Sequence, residues 1–338
     1  MNILVTGGAG FIGSHTAVEL LDAGHEIIVL DNFCNSKETV LKNIEKISGK
    51  KVQLSTADVR DLQAVTATLR DHHIEAVVHF AALKAVGESI EKPLEYYENN
   101  VSGLIVLLQA MRACNVQRLI FSSSATVYGS PDSLPITEDF PLKPATNPYG
   151  TSKQMCERII TDACNAGELR AVLLRYFNPI GAHPSGLIGE LPIGIPNNLV
   201  PYVAQTAAGI RDSLSIYGND YDTPDGTGVR DFIHVVDLAK AHVSALEFLQ
   251  DASVACDVFN IGTGSGTSVL EIVQTFEKVS GKKVPYEIKP RRPGDIASCY
   301  ASADKAAEKL HWKATIDLTT ALEDTWRWQQ NTTESSSS

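Results

Sequence analysis

A glycine-rich turn stands at the very start of the chain. The apolar run Ile3–Val5 leads into Thr6-Gly7-Gly8-Ala9-Gly10-Phe11-Ile12-Gly13, and a helical pattern follows from Phe11 to Ala23. Gly8, Gly10 and Gly13 give the spacing GxGxxG between a strand and a helix. One glycine makes the tight turn, one lets backbone approach a pyrophosphate, and the third lets helix pack closely on strand. The first-turn N–H groups of such a helix, with its positive dipole end, face the phosphates. Asp31 ends the next apolar run, about 20 residues on, where an acid accepts hydrogen bonds from a ribose and disfavours a 2′-phosphate. The turn therefore predicts a bound dinucleotide, NAD in preference to NADP.

The rest of the first half repeats the same rhythm. Candidate strands at Ile3–Val5, Glu26–Leu30, Val52–Ser55, Ala76–Phe80, Leu119–Ser122 and Ala171–Leu174 alternate with candidate helices at Phe11–Ala23, Lys37–Ile47, Leu62–Asp71, Tyr96–Cys114 and Pro148–Ala166. Strands rich in Val, Ile and Leu on both faces are those of a parallel sheet covered by helices on both sides. After Arg175 the texture changes to the Gly- and Pro-dense stretch Asn178–Pro196, which suggests binding loops. The expected fold class is α/β, a Rossmann-type doubly wound parallel sheet with a smaller mixed α/β C-terminal substrate domain. Residues 1–177 form the NAD-binding domain, with helix 235–249 packing back on it, and residues 178–330 the substrate domain. The polar, serine-ended tail 331–338 is expected to be disordered.

Length and charge narrow the function classes. A chain of 338 residues with net charge -11 lacks the basic stripe that nucleic acid or an anionic membrane requires. No apolar run approaches the roughly 20 residues of a membrane helix, and Met1 runs directly into a strand without a leader pattern. Cys34, Cys114, Cys156, Cys164, Cys256 and Cys299 show no paired spacing. No metal site, no disulfide framework and a reducing, cytoplasmic setting are expected.

Chemistry is expected from three further residues. Asn147-Pro148 reads as a helix start, and on that helix Tyr149 and Lys153 stand at i and i+4, on one face. An unperturbed phenol titrates near ~10. A neighbouring ammonium and a nicotinamide cation both favour the phenolate, so the pair makes a general base for a sugar hydroxyl. Ser124 closes a serine run at the carboxyl end of the fifth strand, where open α/β sheets bind ligands. It is placed to donate to the reacting oxygen and to relay a proton to Tyr149.

With these residues on the page, the chain resembles the extended short-chain dehydrogenase/reductase superfamily and, within it, the UDP-glucose 4-epimerases. The resemblance covers residues 1–328. It is carried by TGGAGFIGSH at Thr6–His15, LDNFCNS at Leu30–Ser36, HFAALKAVGES at His79–Ser89, SSSATVYG at Ser122–Gly129, NPYGTSK at Asn147–Lys153, RYFNPIGAHPSG at Arg175–Gly186, GVRDFIHVVDLA at Gly228–Ala239 and RRPGD at Arg291–Asp295. It implies NAD contacts from Gly7, Gly10, Phe11, Ile12, Gly13, Asp31, Asn32, Phe33, Cys34, Asn35, Ser36, Asp58 and Val59. Phe80, Ala81, Ala82, Leu83, Lys84, Asn99, Ser124, Tyr149, Lys153 and Phe177 complete that set. It implies UDP-sugar contacts from Lys84, Ser124, Tyr149, Asn178, Asn198, Leu199, Ser215, Ile216, Tyr217, Arg230, Arg292, Asp295 and Cys299. Arg230 and Arg292 suit a bidentate clamp on a diphosphate.

The resembling 4,6-dehydratases carry an Asp-Glu pair after the strand-end hydroxyl residue, whereas Ala125 and Thr126 follow Ser124 here. Elimination is disfavoured, and hydride removal and return at C4 of UDP-galactose or UDP-glucose remains, with NAD held throughout. The family's gate position holds Cys299 in place of a bulky tyrosine, which implies room for the N-acetylated sugars UDP-GalNAc and UDP-GlcNAc. A uronate epimerase or decarboxylase and a non-catalytic NAD sensor stand as alternatives. The resemblance also implies a role in galactose metabolism and a homodimer formed through helices 96–114 and 148–166.

Overall fold

The computed structural model describes residues 1–292 and 295–335. Six strands of the first half, β1 (Asn2–Thr6), β2 (Glu26–Asp31), β3 (Gln53–Thr56), β4 (Ala76–His79), β5 (Arg118–Ser124) and β6 (Arg170–Tyr176), join a seventh, Cys256–Ile261, in one sheet. Every neighbouring pair is parallel, in the order Cys256–Ile261, β6, β5, β4, β1, β2, β3. Side chains alternate between two cores. Ile3, Val5, Ile27, Val29, Val78 and Ile120 lie on one face, and Leu4, Ile28, Val77, Leu119 and Phe121 on the other. Strands buried on both faces need continuous apolar runs, which is why the sequence spelled them so clearly.

The seventh strand was not anticipated. It lies within residues 178–330, so the sequence boundary at 177 divides the chain but not the sheet. Its sequence CDVFNI mixes polar with apolar residues, because it is an edge strand and its first half is only half-buried. The helix Val235–Phe248 that precedes it packs on α1 (Phe11–Asp22), with Leu238, Ala241 and Ala245 in the core shared by Val18 and Leu21.

The expected helix Tyr96–Cys114 is three pieces. Pro93–Tyr97 and Gly103–Ala113 are α-helical, and the five residues Glu98–Ser102 between them form a π-helix. The wide turn directs the Asn100 side chain inward, where it donates to Leu83 O at 2.9 Å and to Ser152 Oγ at 3.1 Å and accepts from Leu83 N at 2.8 Å. Insertions of this kind cluster at functional sites.

Val203, Ile216, Ile272, Phe276 and Leu322, all from the second half of the chain, form a further, separate core. Short strands lie at Leu214–Tyr217, Val229–Arg230 and Ser298–Cys299, the last two paired in parallel. Part of the tail departs from expectation. The last helix, Leu318–Ser335, continues into the segment read as disordered, as far as Ser335. Asn331 donates to Gly186 O at 2.9 Å, a tertiary partner that composition does not reveal. Residues 336–338 lie outside the described residues.

Candidate active site

The sheet order reverses at β1, whose chain partners lie on one side as β2 and β3 and on the other as β4 and β5. In open parallel sheets a ligand-binding crevice opens at such a point, beyond the strand carboxyl ends. Gly7 lies there with φ +67°, and a Cβ on it would stand 2.7 Å from Ala81 N. The turns after β1 and β4 thus meet backbone to backbone, which only glycine permits. A Cβ on Gly13 would stand 2.3 Å from Gly7 O, so helix and turn are equally close. Gly10 begins α1 with no side-chain cap, leaving the first-turn N–H groups for an external acceptor.

A cleft of about 380 Å³ opens beside this turn, lined by Gly7, Asp31, Asn32, Cys34, Asn35, Val59, Ala81, Ala82, Leu83 and Asn99, with Leu30 and Ala57. Asp31 accepts from Ala9 N at 3.0 Å, Phe33 N at 2.9 Å and Ser36 Oγ at 3.0 Å. These bonds hold the carboxylate at the strand end, and an ionised carboxylate offers about four acceptor positions. Phe33 takes φ +56°, the left-handed turn that lets the chain double back over Asp31. Asp58 accepts from Asn32 Nδ2 at 3.0 Å and pairs with Arg60 at 2.8 Å. The hydrogen bonds from Arg60 hold its carboxyl far below the usual range. Phe80 packs on the His242 ring at 4.8 Å, and Phe177 is buried with Val127 and Tyr128 under the cleft.

Next along the edge come the reacting groups. Asn147 Oδ1 accepts from Gly150 N at 2.8 Å, and Pro148 occupies the first turn of the helix Pro148–Asn165. That cap starts the helix carrying Tyr149, whose phenol lies within the influence of the Ser124 hydroxyl. Ser124 Oγ accepts from Thr126 Oγ1 at 2.9 Å and from Thr126 N at 3.2 Å. Its own proton is therefore the one directed outward, so Thr126, which the sequence marks only as a non-acid after Ser124, orients the hydroxyl.

The electrostatics correct one expectation. Burial pushes the Tyr149 phenol up to about 12, against the Ser124 hydrogen bond, which pulls it down. Lys153 does not offset this. Its Nζ donates to Ser122 O at 2.6 Å, lies 4.8 Å from the Phe121 ring centre and is 6.0 Å from that of Tyr149. Burial pushes the ammonium itself down to about 8. Two ionisable groups removed from water on one helix face both move toward neutrality.

Behind them lies a network that spacing did not expose. Glu157, one turn past Lys153, takes Arg175 through Nε–Oε1 at 2.9 Å and Nη2–Oε2 at 2.7 Å, and Ser123 Oγ donates to Oε1 at 2.5 Å. Arg175 Nη1 donates to Tyr128 OH at 2.9 Å, which donates to Asn260 Oδ1 at 2.7 Å. The catalytic-helix candidate is thereby bolted to β5, β6 and the seventh strand.

On the facing side, Arg230 and Arg292 converge on Asp295, at 3.9 Å and 2.9 Å. The Arg292 guanidinium lies 4.8 Å from the Tyr217 ring centre. Cys299 pairs in register with Arg230 and packs against Phe177 and Val127, and burial pushes its thiol up to about 11. Asn178 and Asn198 are exposed toward solvent, and Leu199 begins the helix Leu199–Ala207. Ser215 is half-buried beside them. The Ile216 side chain is buried in the third core, which leaves its backbone for a ligand contact.

The model of the GDP-mannose 4,6 dehydratase family matches residues 4–325. The UDP-glucose 4-epimerase of Bacillus subtilis is 57% identical over 332 residues, covering 98% of this chain and 97% of that protein. The chain belongs to the UDP-glucose 4-epimerase family. Two solved members of that family superpose closely. An epimerase from Stenotrophomonas maltophila with bound NAD and formylated UDP-arabinopyranose gives a TM-score of 0.97 at 50% identity, covering 99% of both chains. One from Bifidobacterium longum with NAD+ and UDP gives 0.94 at 52% identity, covering 98% of both.

For a 4-epimerase, the glycine cradle, the uncapped helix start and the cleft beside Asp31 fit a dinucleotide. Asn100 and Glu157 lie in no motif and emerge only from the structure. Glu190 had one signal, its place in the Gly- and Pro-dense loop, and Thr126 stood in a motif without a role.

Proposed function

We infer that the protein interconverts UDP-galactose and UDP-glucose as an NAD-dependent 4-epimerase, and that it also accepts UDP-GalNAc and UDP-GlcNAc. The observation that carries this reading is the convergence of Ser124, Tyr149 and Lys153 beside the glycine crevice, with Ala125 and Thr126 where an eliminating enzyme carries acids.

Residues of the cleft hold the cofactor: backbone at Gly7, Gly10, Phe11, Ile12 and Gly13 for the pyrophosphate, and Asp31 for the ribose. The loops at 32–36, 58–59 and 80–84, together with Asn99 and Phe177, enclose the rest. Bound NAD supplies a reversible acceptor for the C4 hydride. Tyr149 takes the proton of the 4-hydroxyl and gives it back on the opposite face of the 4-keto sugar, with Ser124 relaying between phenol and sugar oxygen. The phenol, held near 12 by burial, needs further positive charge to act as a base at neutral pH. Lys153 holds the nicotinamide ribose.

Arg230 and Arg292, which share Asp295 as a partner, grip the diphosphate. Asn178, Asn198, Leu199, Ser215, the Ile216 backbone and Tyr217 hold the uridine and sugar ends. A firm hold on UDP and a loose one on the hexose lets the keto sugar turn over. Cys299 leaves space on that side.

Residues 1–177 with the helix Val235–Phe248 carry the cofactor, and residues 178–330 the UDP-sugar. A homodimer forms through helices 96–114 and 148–166, on which Ile105 and Met155 are exposed, 39% and 45% respectively. Apolar patches of this kind seek a partner. The protein works in the cytoplasm, and among its described residues no helix is long and apolar enough to cross a membrane.

The test is conversion of UDP-galactose by purified protein without added reductant. Tyr149→Phe is expected to lower kcat by about a thousandfold, within the usual range for a lost general base. Turnover close to that of the unmodified protein would refute the assignment.

A further inference from the structure

Glu190 belongs to no motif, yet one of its carboxylate oxygens touches both halves of the site. Oε1 lies 3.1 Å from Lys84 Nζ, in the loop after β4, and accepts from Asn198 Nδ2 at 2.6 Å, at the start of the substrate-side helix. The Glu190 side chain is 14% exposed and the Lys84 side chain 52%, so the carboxylate is the sheltered partner and the lysine the reaching one.

Its backbone is anchored independently. Trp328 Nε1, on the last helix, donates to Glu190 O at 3.0 Å. The loop before Glu190 closes through His183 N to Ile188 O at 3.0 Å and an Ala182–Gly189 bridge. Arg327 and Asn331 of the same helix hold Pro184 O and Gly186 O, each at 2.9 Å. A Cβ on Gly189 would stand 2.6 Å from the Trp328 ring, so the tryptophan seats directly on the chain beside Glu190. The carboxylate therefore projects from a fixed support.

Two consequences follow from hydrogen-bond chemistry. Because Asn198 gives its NH2 to Glu190, its carbonyl oxygen is turned to the other side as an acceptor. This also explains why Asn198 does not cap its own helix. Lys84, a flexible four-carbon cation, is held by charge at one end of the cleft, and charge-assisted bonds are the stronger kind.

We propose that Glu190 is a positioning residue that fixes Asn198 and Lys84 together, aligning the substrate-side acceptor with the cofactor-side cation. The proposal rests on Asn198 and Lys84 serving the UDP-sugar and NAD as inferred above. Glu190 touches neither ligand itself in this reading and acts through those two side chains.

The test compares Glu190→Ala, Glu190→Gln, Asn198→Ala and the double variant Glu190→Ala/Asn198→Ala in the full-length, NAD-loaded protein. Glu190→Ala is expected to raise KM for UDP-galactose about tenfold, the usual effect of losing a charge-assisted hydrogen bond, with kcat changed far less and the melting temperature held. Glu190→Gln retains an oxygen for Asn198 and is expected to recover most of the KM. The double variant is expected to cost less than the sum of the two singles, because both remove the Glu190–Asn198 link. A Glu190→Ala KM within twofold of the parent, or additive effects in the cycle, would overturn the proposal.

Calorimetric binding of UDP, which needs no turnover, separates the two readings. If the parent protein fails to convert UDP-galactose but Glu190→Ala weakens UDP binding about tenfold, the epimerase reading falls and the strut stands. If Glu190→Ala leaves both UDP affinity and KM unchanged, the strut falls whatever the parent converts.

Discussion

Removing Glu157 should destabilise the protein more than any single exposed ion pair could. The Glu157 and Arg175 side chains are 5% and 6% exposed and share two hydrogen bonds, with a third to Glu157 from Ser123. Glu157→Ala leaves a guanidinium in the interior with only Tyr128 OH and, at 3.4 Å, Glu138 O in reach. Stranding one member of a buried pair costs about 3–5 kcal/mol. At about 2.1 cal/mol/K of unfolding entropy per residue, 338 residues give roughly 0.7 kcal/mol per degree, so the melting temperature should fall by about 6 °C.

The double variant Glu157→Met/Arg175→Met removes both charges and keeps the volume. It should recover much of that loss, because desolvation of two ions is no longer required. Thermal unfolding followed by circular dichroism, with denaturant titration as a cross-check, reads both. A fall below about 2 °C for Glu157→Ala would refute the calculation, since it would mean the stranded charge reaches water. A double variant worse than the single would refute the assigned cause.

Lys153 has a pH signature. Its ammonium is pushed down to about 8 in the fold from 10.5, so the unfolded chain binds the extra proton between those values and stability rises with pH across that window. Relative to Lys153→Met, the parent should gain up to about 3 kcal/mol between pH 8 and 10.5, and an unchanging difference would contradict the burial. Gly13→Ala places a methyl 2.3 Å from Gly7 O, so the turn must open. NAD retained per protomer after gel filtration should drop at least about tenfold, and full retention would show that the turn yields without cost. Cys299→Tyr fills the space beside Phe177 and Arg230. It should suppress turnover of UDP-N-acetylglucosamine while sparing UDP-galactose, and equal rates on the acetylated sugar would sink the gate.

What the sequence by itself determined lies within reach of one turn or one strand. Gly7 through Gly13, Asp31, the Asn147 cap and the Tyr149–Lys153 pair are local arrangements, set by backbone geometry over a few residues, and a parallel sheet buried on both faces writes its strands as unbroken apolar runs. The tertiary structure alone decided the rest. The π-helix at Glu98–Ser102 depends on Asn100 finding Leu83 and Ser152. The edge strand Cys256–Ile261 takes its place from its pairing with β6. The upward push of burial on the Tyr149 phenol is not legible in the spacing, because i and i+4 specify a shared face but not the water removed from it or the carbonyl that claims the lysine. Glu157 with Arg175, and Glu190 with Lys84 and Asn198, join residues far apart in the chain. Burial and long-range partners set the strength of every charge in the site, and neither is a property of a local stretch of sequence.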